Sequence, residues 1–358
     1  MKYGTLKLGS YGLSLLLVVT MTGCSIGPQT LSRDRVSYGD ALANSARQEL
    51  LKNIVRLRYM ESPVFVSINS VVNQYALETT VNAGASWNWG GQFAGTGNAI
   101  GATSRFSDRP TITYSPLVGK RYTESIITPI KPASLMSLIE SGWKVERIFP
   151  LMVHSINGIR NRFYAGSTTQ ELDPKFKQIV DLMAEMQNDG TISIRVQKST
   201  DDEKPSFVFI FSGAHNVEEE GQIGELKALL GLAPDAERYR IVFGSAARDD
   251  TEVAIVTRSI LAVLADMSSY VRVPEEHMAE GRALPGAPHG EGMSFPLIVQ
   301  SGTNEPEDAF IKIQHRDIWF WIEDTDMQSK RTFLQLVIFS TLAESPDAAQ
   351  TPLLTIPA

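Results

Sequence analysis

Nine residues near the N-terminus restrict what this chain can fold into. Val81-Asn82-Ala83-Gly84-Ala85-Ser86-Trp87-Asn88-Trp89 alternates apolar with polar or small residues without a break. A period of two belongs to a strand with unlike faces; on a helix it would scatter the apolar residues around the surface. A Gly/Asn-rich reversal (Gly90 to Gly101) follows, and Ala102 to Phe106 leads into Thr111-Ile112-Thr113-Tyr114. The pattern predicts a long two-stranded hairpin over 79–114 with a loose tip. Two uses of it stay open. One is a glycine-rich hairpin or floppy loop that stays outside any membrane. The other is insertion in an outer membrane, where strands take about 9–11 alternating residues with aromatic residues at the interface. Trp87, Trp89 and Phe93 are the candidate membrane or partner contacts. One hairpin alone would leave unpaired edges in lipid, so insertion requires a ring of identical subunits.

The start of the chain carries a second pattern. Met1, Lys2 and Lys7 make a basic beginning, Leu13 to Val19 an apolar run, and Met21-Thr22-Gly23-Cys24 closes it. A spanning helix needs about 20 apolar residues; this run is shorter and is broken by Ser14 and Thr20, which makes it a secretory signal. Cys24 is the one cysteine of the chain, and an exported protein with one cysteine has no disulfide partner for it. Gly23-Cys24 resembles a bacterial lipoprotein signal, in which a small residue precedes a cysteine that receives a diacylglyceryl group before cleavage. The resemblance implies removal of residues 1–23 and a triacylated, palmitate-bearing Cys24. Ser25, standing where an aspartate would favour inner-membrane retention, points to the outer membrane. Several acyl chains anchor stably where one binds marginally, so membrane lipid is the first expected partner. Acylation also leaves no thiol for disulfides, metals or nucleophilic chemistry.

Composition excludes one class of partner. The net charge is −7, and removal of Lys2 and Lys7 with the signal makes it two units more negative. A nucleic-acid binder needs a basic surface, so none is expected. A hydrophobic content of 43% suits an ordinary globular body.

The remaining segments divide as follows. Residues 24–34 read as a lipidated polar tether. Residues 35–125 hold a helix and the hairpin, and 126–345 an α+β body with a linker at 274–293. Residues 346–358 are a tail. The first helix opens at Ser37 with Asp40 three residues on and carries Ala43, Ala46, Leu50, Ile54 and Leu57 at helical spacing. Val64 to Leu77 should be extended. Val145 to Asn157 reads as a helix disturbed by Pro150 and carrying His154. Asp173-Pro174 caps a strong helix with Phe176, Ile179, Val180, Met183 and Met186 on one stripe. Ala309 to Gln314 and Ile318 to Ile322 flank His315-Arg316-Asp317 as the clearest hairpin. Helices and strands in this order predict an α+β fold: a mixed, largely antiparallel sheet with packed helices, plus the long Gly/Asn/Trp-rich hairpin.

Signals for chemistry are sparse. Glu323, Asp324 and Asp326 form the densest carboxylate group, able to hold a cation or to act as acid and base. They also stand where a helix begins, so capping accounts for them. His154, His215, His277, His289 and His315 lack metal-ligand spacing, and no nucleophile motif, Walker loop or dinucleotide fingerprint occurs. No catalytic residue, metal or cofactor is therefore expected.

Several stretches resemble a family of bacterial envelope lipoproteins: Asn53-Ile54-Val55-Arg56-Leu57-Arg58-Tyr59 with Pro63-Val64-Phe65, Arg109 to Leu117, Ser155-Ile156-Asn157-Gly158, and Trp319-Phe320-Trp321-Ile322. The resemblance implies no activity and no site residues. The expectation is a lipid-anchored outer-membrane lipoprotein, its body in the periplasm, acting as a non-enzymatic binding or scaffold module on other envelope proteins or on itself. Its alternative is an oligomeric channel or export component whose 79–114 hairpins assemble a barrel. A periplasmic hydrolase is the third reading.

Overall fold

The computed structural model describes residues 26–72, 75–86, 97–108, 111–165, 168–197, 206–212, 214, 216–287 and 297–343. The first helix, α1 (Ile26–Arg58), begins well before Ser37 and runs through residues expected to be tether. Pro28 falls within its first turn, where a missing N–H breaks no intrahelical bond. The C-terminal half buries Leu50, Leu51, Ile54 and Val55, with Tyr59 just beyond its end.

Four strands follow: β1 (Val66–Val72), β2 (Tyr75–Ser86), β3 (Gly97–Asp108) and β4 (Thr111–Pro116). β1 pairs with β4 and β2 with β3, both antiparallel and in one common register from Ser70↔Thr113 to Ser86↔Gly97. The predicted hairpin is therefore longer than 79–114. It takes in the extended segment upstream, and Gly97 to Gly101, expected in the reversal, are strand.

Next come α2 (Gly119–Tyr122), a π-helical turn (Thr123–Ile127), α3 (Pro132–Glu140) and α4 (Val145–Met152). The helix expected to reach Asn157 stops at Met152. Pro150 removes a helical N–H and its ring obstructs the preceding turn. The chain passes directly into β5 (Val153–Ile156), so His154 lies on a strand. β5 turns at Asn157-Gly158, both left-handed (φ 46° and 81°), into β6 (Ile159–Arg160). That two-residue turn matches the twist of a hairpin, and its second position favours glycine.

β7 (Phe163–Ala165) and β8 (Thr168–Gln170) form a small ribbon. The predicted helix at Asp173 is α5 (Pro174–Asp189): the Asp173 carboxylate accepts the Lys175 N–H at 2.9 Å, and left-handed Gly190 ends it. Then come β9 (Ile192–Gln197), β10 (Ser206–Phe211), α6 (Val217–Leu230), β11 (Arg238–Phe243), β12 (Glu252–Thr257) and α7 (Ile260–Ser268). The central six-stranded sheet runs β6-β5-β12-β11-β10-β9, and only β11 and β12 are parallel neighbours. This is the mixed, largely antiparallel sheet of an α+β fold. α3 packs on β9, β10 and β12, while α7 lies against α1, β7 and the π-turn.

The stretch expected as a linker at 274–293 is structured over its first part. It contains α8 (Glu275–Ala279), its Leu284 N–H bonds the Arg58 carbonyl at 3.0 Å, and Ala287 is buried. Hydrogen bonds to α1 override its glycine- and proline-rich composition. β13 (Gln300–Gly302), β14 (Ala309–His315) and β15 (Ile318–Glu323) make a second antiparallel sheet of order β13-β15-β14, with β14 at an edge. α9 (Met327–Ala343) follows, and Phe333, Leu336 and Phe339 bury its inner side. Among the described residues no helix is long and apolar enough to cross a membrane.

Candidate functional site

The register of the long hairpin sorts its residues onto two unlike faces. Successive strand residues alternate sides, and directly opposed residues share one. Leu77 therefore shares a face with its partner Phe106, Val81 with Ala102, and Ala83 with Ile100. Val71 and Ile112 continue that face toward the root. The other face takes Glu78 opposite Arg105, Thr80 opposite Thr103, and Asn82 opposite Gly101. One face thus carries most of the apolar residues, interrupted by Thr79 opposite Ser104 and by Asn98 and Asp108 toward its ends, and the other is polar or small. β2 and β3 have 12 residues each, roughly 40 Å of strand at about 3.4 Å per residue. Among the described residues no third strand pairs with either edge. A lone two-stranded ribbon is marginal in water, and open edges invite pairing with another chain.

The root of this ribbon is fixed to α1. The Asn53 side chain, fully buried, donates to the Val64 carbonyl at 2.7 Å and accepts the Val64 N–H at 2.9 Å. Glu49 takes the Val66 N–H at 3.2 Å, and the Leu117 N–H closes on the Phe65 carbonyl at 2.9 Å. The ring of Phe65 meets that of Tyr122, 6.3 Å between centroids. Both strands are therefore gripped where they leave the body.

Beneath the root, five side chains from distant parts of the sequence converge. The Tyr59 hydroxyl lies 2.7 Å from His277 Nδ1, and both residues are buried. Arg316 stands over the Tyr59 ring at 4.9 Å and donates Nε–H to Glu61 at 2.9 Å. His315 Nε2 is 3.2 Å from the same carboxylate oxygen. Burial pushes the Tyr59 phenol up and the His315 imidazole down, so one keeps its proton and the other stays neutral. Burial also works to raise the Glu61 carboxyl, but the hydrogen bonds from Arg316 and His315 and the charge of Arg316 outweigh it and hold the group below its ordinary value. A Tyr–His or His–Glu pair is the equipment of acid–base catalysis. Here Tyr59 and His277 are sealed in the core, and the group acts as a strut tying α1 to α8 and the β14–β15 hairpin.

A second polar group lies deeper. Arg258 and Asp266, both almost without exposure, pair at 3.2 Å. Arg258 also donates to the carbonyls of Pro150, Leu151 and Arg162, and Asp266 accepts the Tyr164 N–H at 2.8 Å. Burial drives the Asp266 carboxyl up and the Arg258 guanidinium down, and each partner's charge opposes the shift. Spacing carried a trace of this pair: Asp266 falls on the buried stripe of α7 with Val263 and Met267.

The carboxylates singled out from the sequence cap and brace. Asp326 accepts the Ser329 N–H at 3.0 Å, Asp324 pairs with Lys330 at 2.7 Å, and Glu323 takes the Trp321 indole N–H at 2.7 Å. Among the described residues no group of acids, histidines or cysteines forms a metal cluster. His154 is packed edge-on to Phe163, and burial and nearby arginines lower its affinity for a proton. Cys24, Trp87, Trp89, Phe93, His215 and His289 lie outside the described residues. The convergence on Tyr59 escaped sequence reasoning because its members are more than 200 positions apart; the only local hint was Arg58-Tyr59 with Glu61 at a helix end. The chain matches no family model, no curated protein and no solved structure.

Proposed function

We propose that this protein is the lipid-anchored protomer of a ring in which hairpins of neighbouring copies pair edge to edge into a barrel crossing the outer membrane. The α+β body stands on the periplasmic side, held near the membrane by acylated Cys24. One observation carries the reading: the hairpin register gathers Leu77, Val81, Ala83, Ile100, Ala102 and Phe106 on one face, with the small hydroxyl pair Thr79 and Ser104 among them, and polar and small residues on the other. Membrane barrels show this alternation, apolar outward and polar toward the lumen. Pairing with neighbours satisfies both open edges, and only closure does so in lipid. A 12-residue strand tilted by about 40° rises roughly 30 Å, enough for the apolar band. Trp87 and Trp89 continue the alternation beyond Ser86, suiting the aromatic girdle of such a barrel. The reading requires no catalysis. The body remains the part that binds other envelope proteins, which retains the scaffold role within the assembly.

The deciding measurement is the mass of the detergent-extracted protein by light scattering behind a sizing column. The expected result is one discrete ring of about four or more copies, since barrels begin at about 8 strands, with conductance in planar bilayers. A monomer or dimer overturns the reading. Cys24→Ser is expected to reduce recovery in the membrane fraction.

A further inference from the structure

A cleft of about 490 Å³ runs between α1 and the edge strand β14, beside Asn53 and Val64 at the root of the hairpin. Lys52 and Arg56, one helical turn apart, line its α1 side. Among the described residues neither pairs with a carboxylate; Arg56 reaches only the Asn53 amide oxygen at 3.4 Å. Lys312 adds a third cation from β14, held by Glu305 at 2.9 Å. The one carboxylate among the lining residues, Glu49, accepts the Val66 N–H and keeps its charge, so the lining carries three cations to one anion. The result is a basic cleft on a protein of net charge −7.

The wall opposite α1 is main chain as well as side chain. Lys312, Ile313 and Gln314 all line the cleft, yet alternate strand residues point to opposite faces. Ile313 is buried on the core side, so it meets the cleft through its backbone. The cleft therefore follows the edge of β14. The turn geometry fixes which groups face it. Arg316 and Asp317 are both left-handed (φ 51° and 62°), the two-residue hairpin turn whose flanking residues, His315 and Ile318, exchange both main-chain bonds. Pairs alternate from there. Gln314 and Lys312 therefore direct their N–H and C=O groups away from β15, to the outer edge. Among the described residues no main-chain partner meets them there.

We propose that this cleft binds an extended acidic peptide, which adds to β14 as a further strand of the small sheet. Main-chain bonds to Lys312 and Gln314 supply the pairing, as in strand-addition recognition. Lys52 and Arg56 select for carboxylates on the peptide, and Trp319 flanks the cleft as an aromatic surface for its intervening side chains. The site depends in no way on ring formation by the hairpin.

The test is fluorescence anisotropy of a dye-labelled peptide of alternating Glu and Val, titrated with the full-length detergent-solubilised protein. An alternating Lys and Val peptide and inorganic phosphate are the controls. Saturable binding of the acidic peptide alone is expected, weakening with salt. It should weaken about tenfold or more in the Lys52→Glu, Arg56→Glu variant. Gln314→Pro, which removes an outward N–H at an edge position that tolerates proline, should abolish it. Absence of saturation, equal binding of the basic peptide, or unchanged affinity in the charge-reversed variant overturns the proposal. Displacement by phosphate at low millimolar concentration, or full binding by Gln314→Pro, also overturns it by reducing the cleft to a simple anion site.

Discussion

Asn53 holds Val64 by both main-chain groups, Nδ2 to the carbonyl at 2.7 Å and Oδ1 from the N–H at 2.9 Å. This one side chain sets where the ribbon leaves α1. Replacing it by alanine removes both bonds; because Val64 itself is exposed, water takes up part of the loss and the net cost is about 1–2 kcal/mol. Asn53→Ala is expected to lower the urea midpoint accordingly and to speed amide exchange at Val64 and Val66 before it affects β12. Uniform exchange rates across the chain would show that the clamp does not govern the ribbon.

Acid should loosen the fold in two steps of the same sign. His315 and His154 bind protons more weakly folded than at their ordinary 6.5, because burial disfavours the cation. The unfolded chain therefore takes up protons first, so stability is full above about pH 6.5 and declines as pH falls below it. Glu61 is held below its ordinary 4.5; its contribution is complete above that value and is lost as the pH falls further. Midpoints of unfolding measured from about pH 7.5 down to pH 4 should fall in both ranges. His315→Gln combined with His154→Gln should flatten the upper one. An unchanged upper slope in that variant would remove the histidines as its cause.

Arg258 and Asp266 pair inside the core, and the arginine serves three carbonyls as well. Breaking a buried pair on one side leaves an uncompensated charge and costs about 3–5 kcal/mol. Arg258→Met is therefore expected to cost more than Asp266→Asn, because it also strands the carbonyls of Pro150, Leu151 and Arg162 that the guanidinium serves. Its pH dependence should also reverse. Without its cation, Asp266 titrates further above its ordinary 3.8, already raised by burial. The folded state then holds the proton, and the penalty shrinks as pH falls. Chemical denaturation of both variants at neutral and acid pH checks this, and a penalty that grows on acidification would contradict it.

Local rules read what local residues decide. Asp173-Pro174 and Gly190 bracket α5, because capping and left-handed geometry depend on a few neighbours. Alternation likewise located the ribbon, whose period of two survives any tertiary context. Ser37 misled as a helix start, since α1 continues upstream without a cap there. Asn157 was lost to a strand turn because Pro150 sits too near the helix end to let it recover. The 274–293 composition suggested a linker, but Leu284 bonds Arg58 and His277 meets Tyr59, contacts between residues more than 200 positions apart. Such pairings depend on the folded arrangement of α1, α8 and β14, and no period or spacing encodes them. The cleft at Lys52 and Arg56 was hidden for the same reason: its other wall comes from residue 312 onward.

The two faces of the ribbon make unlike demands on charge. Val81 shares its face with Ala102, and Thr80, one residue away, shares the opposite face with Thr103. If the apolar face meets lipid, an arginine at 81 costs about 2–4 kcal/mol per copy near the bilayer centre. The same residue at 80 points to the lumen and meets water. Val81→Arg is therefore expected to abolish the ring and its conductance while the body unfolds at the same urea concentration. Thr80→Arg should leave the ring intact and shift the channel toward anions. Equal tolerance of both substitutions in assembly and in planar bilayers would mean that neither face meets lipid. The ribbon would then be a surface element of a tethered binding module.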